Sequence, residues 1–110
     1  MEQKYEKTLA REIYKKMKPG IHYRSYDLFT VIGEDAYYHF IPIGHPLHGK
    51  DVRKVIAAEM WKIVNTGYAS TFKREETYHL VGGLKYNVKD RDWSKVPTET
   101  YTIRYWTRVK

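Results

Sequence analysis

The chain of 110 residues has no cysteine. That excludes disulfides, thiolate zinc sites and cysteine nucleophiles, and it fits a reducing compartment. No apolar stretch approaches the roughly 20 residues a membrane-spanning helix needs. The start, residues 1–17, is charged throughout and has no apolar core of a secretory leader. These features lead us to expect a soluble, intracellular (cytoplasmic) protein with no membrane partner. Phosphate-cradling glycine loops of the P-loop or dinucleotide type are missing, and no serine stands in a nucleophile elbow. A basic tail is also lacking. Residues 1–55 carry ten Lys and Arg against seven Asp and Glu, and residues 56–110 carry ten against six. Any positive surface must therefore be assembled by folding.

What is present is charge and aromatic surface. The formal net charge is +7, with a pI near 9.5. Charge of that sign favours a polyanionic partner: nucleic acid, an anionic membrane surface or an acidic protein. Eleven tyrosines and three tryptophans supply large buried areas, and those left outside tend to mark contact sites. The length allows one domain, 1–110, with one hydrophobic core.

Hydrophobic spacing sets out the elements. Tyr5, Leu9, Ile13 and Met17 recur every four residues, which predicts a helix over 3–18. Lys15, Lys16 and Lys18 suit the negative end of its dipole, and Pro19 and Gly20 end it. Residues 21–24 read as short and extended. Ser25 is a candidate N-cap for a helix over 26–32 stopped by Gly33, although Phe29–Ile32 could also be a strand. The run Tyr37–Ile41 has strand composition, and Pro42, Gly44, Pro46 and Gly49 punctuate a loop after it, so 34–50 is open between strand and loop. Residues 51–66 form the strongest helix, with Asp51 as N-cap, an apolar face of Val52, Val55, Ile56, Met60, Ile63 and Val64, and Gly67 as stop. Two strands, 68–72 and 77–81, are predicted around a charged turn at Lys73–Glu76. Leu84–Val88 reads as a further strand, Lys89–Pro97 as a charged loop containing Trp93, and Glu99–Val109 as a last strand. On that strand Tyr101, Ile103, Tyr105 and Val109 alternate with Thr102, Arg104, Trp106 and Arg108.

Candidates for chemistry are sparse. His45 and His48 have a chelating spacing but no cysteine or carboxylate completes a set, so no metal and no cofactor is expected. The pairs Glu34–Asp35 and Glu75–Glu76 fall in predicted turns, where carboxylates are solvated. A metal-dependent nuclease would need Asp27, Asp35 and Asp51 to converge with one of those histidines. The expectation is a protein that is not an enzyme.

The order helix, helix, amphipathic helix and hairpin resembles the winged-helix family of helix-turn-helix proteins. The residues that carry the resemblance are Asp51–Ala69 (DVRKVIAAEMWKIVNTGYA) and Ser70–Leu80 (STFKREETYHL). They give a third helix with apolar spacing, a Gly-aromatic step at Gly67–Tyr68, a strand, a charged tip and a returning strand. The resemblance implies an α+β, winged-helix-like fold of about three helices followed by an antiparallel hairpin, with the last strand as an addition. It also implies binding of duplex DNA by a small transcriptional regulator, with a homodimer as the expected assembly; the compact size and high aromatic content suggest a phage or viral source. A recognition helix needs cations and small residues toward the groove. Lys50, Arg53, Lys54, Ala57, Ala58 and Lys62 meet that need, with Lys73 and Arg74 at the hairpin tip reaching phosphate. Two alternatives stand beside it. One is a protein-interaction module of the same fold, using the Tyr- and Trp-rich surface. The other binds RNA or single strands on the last strand, where Arg104 and Arg108 flank Trp106 as a stacking platform.

Overall fold

A computed structural model describes residues 4–81, 84–86 and 97–110. The predicted loop with Trp93 lies, apart from Pro97, outside the described residues, as do residues 87 and 88 of the predicted strand before it. The element order is α1 (Leu9–Lys16), β1 (His22–Tyr23), α2 (Ser25–Ile32), α3 (Glu34–Phe40), α4 (Val52–Asn65), β2 (Ala69–Val81), β3 (Leu84–Tyr86) and β4 (Thr98–Arg108). The class is therefore α+β, with the strand order β1-β4-β2-β3. Two compact units make up the chain, one of Met1–Phe72 with Arg104–Lys110 and the other of Lys73–Ile103.

In the first unit, α1 is shorter than its apolar stripe. Thr8 caps it, its Oγ1 accepting the Arg11 N–H at 3.2 Å. Leu9, Ile13 and Met17 are buried as their spacing predicts, and Tyr5 packs half-buried against the same core. Glu12 is buried too, and its carboxylate accepts the Glu6 N–H at 2.9 Å, which folds the segment before the helix back onto it. Helix α2 begins at Ser25, with the Asp27 carboxylate accepting the Arg24 N–H at 3.0 Å. Gly33 then separates α2 from α3 with φ +86° and ψ 156°, a conformation essentially reserved for glycine.

Helix α3 replaces the strand read at Tyr37–Ile41, while the loop read after it, over 42–50, is present as turns. Glu34 and Asp35 occupy its first turn, where they complement the dipole. Ala36 and Tyr37 point into the core with Ile41 just beyond. The gain from burying that face, of order 1.5–3 kcal/mol per large side chain, outweighs the β preference of Tyr37–Ile41. Helix α4 runs as predicted. The Asp51 carboxylate accepts the Arg53 N–H at 3.0 Å, and Gly67, at φ +86°, follows its end. Val55, Ile56, Met60 and Ile63 are buried against α1 and α2.

Strand β1 pairs antiparallel with β4, His22 opposite Thr107 and Tyr23 opposite Trp106. Val109 N–H donates to the Tyr68 carbonyl and Thr71 Oγ1 to the Tyr105 carbonyl, so β2 borders the other side of β4. Trp106 and Tyr23 face the helices and are buried. Tyr105, the next residue along β4, is buried as well and stacks on Phe72, their centroids 5.2 Å apart.

In the second unit, β2 runs on without a break through Lys73–Glu76, where a turn was predicted. Its antiparallel pairing with β3 sets Val81 opposite Leu84 and His79 opposite Tyr86. Charged side chains are tolerated here because Lys73, Arg74 and Glu75 are exposed and bury no charge. The Thr77 and Thr100 hydroxyls bond at 2.9 Å, the Leu80 N–H donates to Pro97, and Tyr78 packs on Tyr101.

Candidate nucleic-acid interface

The outward side of α4 begins with Lys50, just before the N-cap, and Arg53 and Lys54 in the first turn, all exposed. Their surroundings differ. Arg53 is forked onto Asp51, with Nε to Oδ1 at 3.1 Å and Nη2 to Oδ2 at 2.8 Å. That hydrogen bond holds the Asp51 carboxyl below its usual range and raises Arg53 above its own. Arg53 is thus a cation already bound to a neighbour. Lys50 and Lys54 have no ion-pair partner among the described residues. Farther along, Ala57 is half-buried, Ala58 is exposed, and Lys62 pairs with Glu59 at 3.1 Å. A ligand approaching this face would meet Lys50, Lys54 and Ala58, with the charge of Arg53 partly offset by Asp51.

Trp61 completes the face. Its ring is 40% exposed, and the Arg104 guanidinium lies 4.9 Å from its centroid. Arg104 also sits 5.8 Å from Trp106 and donates to Thr71 Oγ1 at 3.0 Å. It therefore bridges α4, β4 and β2 within the first unit. The Trp61 ring meets Trp106 edge-on at 5.3 Å.

The last strand does not form the stacking platform expected of it. Trp106 is 0% exposed, and its indole N–H donates to Ser25 Oγ at 3.0 Å. A base has no access to that ring. Strand alternation places Arg104, Trp106 and Arg108 on the helix-facing side, and the sequence cannot show which side a two-faced strand buries. Arg108 is also turned inward. Its Nη1 donates to the Tyr14 and Met17 carbonyls at 3.2 and 3.0 Å, and its guanidinium lies 4.2 Å from the Tyr14 ring centroid. It satisfies the end of α1, where carbonyls lack helical partners. Lys73 and Arg74 belong to the second unit. Lys73 is exposed, and Arg74 pairs with Glu76 at 2.9 Å. They stand within a strand and not at a tip.

The carboxylates and histidines are engaged locally. Asp27 bonds the Arg24 N–H and Asp51 caps α4. His45 Nδ1 accepts the Leu47 N–H at 3.0 Å, and His48 Nδ1 lies 3.1 Å from the Ile41 carbonyl. Among the described residues no three metal-ligating side chains gather.

Two features of α1 have no place in the expected site. Its exposed residues Arg11, Lys15 and Lys16 are all cationic, and a cleft of about 380 Å³ lies between α1 and the end of α4. The spacing Lys7, Arg11, Lys15, Lys18 could have disclosed a basic stripe, but these residues also read as a complement to the helix dipole. No known protein family, characterised protein or solved structure matches this chain. Among the described residues, no helix is long and apolar enough to cross a membrane.

Proposed function

We propose that this chain is a winged-helix-like protein that binds duplex DNA through α4, as a small regulator. The observation that carries the reading is the outward face of α4, where Lys50, Lys54 and the small Ala58 stand exposed beside the half-open ring of Trp61. Cations there find phosphate, and a small side chain permits close approach to a groove. The order of elements supports it: α1, α2 and amphipathic α4, then the Gly67–Tyr68 step, β2 and the returning β4. Helix α3 and the segment to Lys50 are insertions between α2 and α4, so the short turn of a simple helix-turn-helix is replaced by a longer excursion.

The test is fluorescence anisotropy with a short random duplex over a range of salt. Affinity should fall steeply. Each lysine that no longer neutralises a phosphate lowers the log–log salt slope by about 0.9, so Lys50→Gln/Lys54→Gln should flatten it by about 1.8. A flat salt response, or no change in the double variant, refutes the reading.

A second reading, a protein-interaction module, is favoured by one patch. Ile43 is 89% exposed beside Pro42, Tyr38 and His48, which line a shallow cleft with it. Exposed apolar side chains grouped in this way suit a protein partner. Ile43→Asp would then abolish partner capture and leave duplex binding unchanged.

A further inference from the structure

The basic charge of the chain is not concentrated on α4. Between residues 4 and 18 stand six Lys and Arg against two carboxylates, Glu6 and Glu12. Glu12 is buried and bonded to a backbone N–H, so it does little to offset the surface outside. Glu6 reaches Lys15 at a loose 3.7 Å. Lys7, Arg11, Lys16 and Lys18 have no ion-pair partner among the described residues. Every exposed residue of α1 itself is a cation.

Composition narrows what such a face can hold. A membrane-surface helix needs apolar side chains to insert, and α1 has none exposed. Protein interfaces are depleted in lysine at their centres and rely on aromatic anchors. The rings nearest this stripe, Tyr14 and Tyr68, are packed edge-on against each other, the Tyr14 hydroxyl donates to the Lys110 carbonyl, and the Lys110 ammonium lies over Tyr68. A row of solvated cations matches a phosphate backbone, where binding is driven by counterion release.

The face lies away from the Lys50–Lys54 start of α4. Lys62 and Ile63, near the end of α4, line the cleft with Ala10, Arg11 and Tyr14 of α1. Lys54 stands nine residues before Ile63, about two and a half turns at 3.6 residues per turn, and so on the opposite side of α4. One straight duplex lying along Lys54 and Trp61 would leave α1 uncovered.

We propose that α1 and the residues flanking it carry a second phosphate-binding surface, formed by Arg11 and Lys15 of the helix with Lys7 before it and Lys18 after it, which holds a second DNA duplex while α4 holds the first. This rests on the duplex-binding reading of α4. One chain would then bring two DNA segments together.

The experiment tethers one short duplex to a surface, adds the protein, and measures capture of a second, differently labelled duplex. Direct binding to a single duplex and the oligomeric state by light scattering are recorded in parallel. Lys7→Gln/Arg11→Gln/Lys18→Gln should reduce second-duplex capture at least tenfold. The same variant should keep single-duplex affinity within about twofold and leave the oligomeric state unchanged. Unchanged capture overturns the proposal. So does an equal loss of single-duplex affinity, which would make the two faces one surface. A changed oligomeric state also overturns it, since bridging would then come from paired copies. Lys50→Gln/Lys54→Gln is read separately on the single duplex, and if it has no effect there, the α4 reading fails on its own measurement.

Discussion

Replacing Trp106 separates a core residue from a ligand-stacking one. Trp106 is among the largest fully buried side chains, wedged between Trp61, Arg104 and the N-terminus of α2. Trp106→Ala deletes the indole and leaves a cavity, and such changes cost about 3–5 kcal/mol. A domain of this size is stable by only about 5–15 kcal/mol, so a fifth or more of the total is at stake. At roughly 4–8 °C per kcal/mol, the melting temperature should fall by about 12–40 °C. The polar part can be isolated. Ser25→Ala strands a buried indole N–H, at about 1–3 kcal/mol. Trp106→Phe keeps an aromatic ring but removes the donor, and in that background Ser25→Ala should cost almost nothing. Urea unfolding of the four proteins gives the cycle. The reasoning is refuted if Trp106→Ala stays within about 0.5 kcal/mol of the parent, or if Ser25→Ala costs the same with and without the indole.

Four further outcomes rest on single side chains. Thr8→Ala removes the α1 N-cap and should cost about 1 kcal/mol in urea unfolding, with faster hydrogen exchange at Arg11. Arg108→Gln frees the Tyr14 and Met17 carbonyls and should cost about 1.5 kcal/mol, the exchange increase being confined to the end of α1. The Tyr37 hydroxyl is buried with no hydrogen-bond partner among the described residues, so Tyr37→Phe should raise stability by about 1 kcal/mol. Burial also raises the Tyr37 pKa above its ordinary 10.0. Above that pH the unfolded chain loses a proton that the folded chain keeps, so stability falls as pH rises, and Tyr37→Phe should flatten that alkaline decline relative to the parent. Asp51 behaves with the opposite sign. Its carboxyl is held below the ordinary 3.8 by Arg53, so its contribution is present above that pH and disappears as pH falls through the lowered value. Asp51→Asn, compared with the parent in acid unfolding, should show a shallower loss below about pH 4.

The helices were legible where local signals agreed with burial. Leu9, Ile13 and Met17 on α1, and Val55, Ile56, Met60 and Ile63 on α4, repeat at the helical period, and a period is a property of the chain alone. Asp51 and Gly67 marked the ends of α4 for the same reason, since a cap and a left-handed stop act within one turn. The segment 34–40 was not legible. Its aromatic run prefers a strand locally, and the buried face formed by Ala36 and Tyr37 decides for helix. The continuous β2 was missed because Lys73–Glu76 has the composition of a turn, while an exposed strand accepts the same charges.

For the surface, the sequence by itself determined that the chain is basic, that its positive charge is distributed over both halves, and that α4 is amphipathic with Lys50, Arg53 and Lys54 at its start. Only the tertiary structure decided which of these charges are available. It bound Arg53 to Asp51, Arg104 to Thr71 and the tryptophan pair, and Arg108 to the end of α1, and it enclosed Trp106. It left Lys50 and Lys54 open on one side of α4 and the cations of α1 open beyond the other. The reason is physical: charge and period are written in each residue, whereas availability depends on neighbours brought together from positions as far apart as Tyr14 and Arg108.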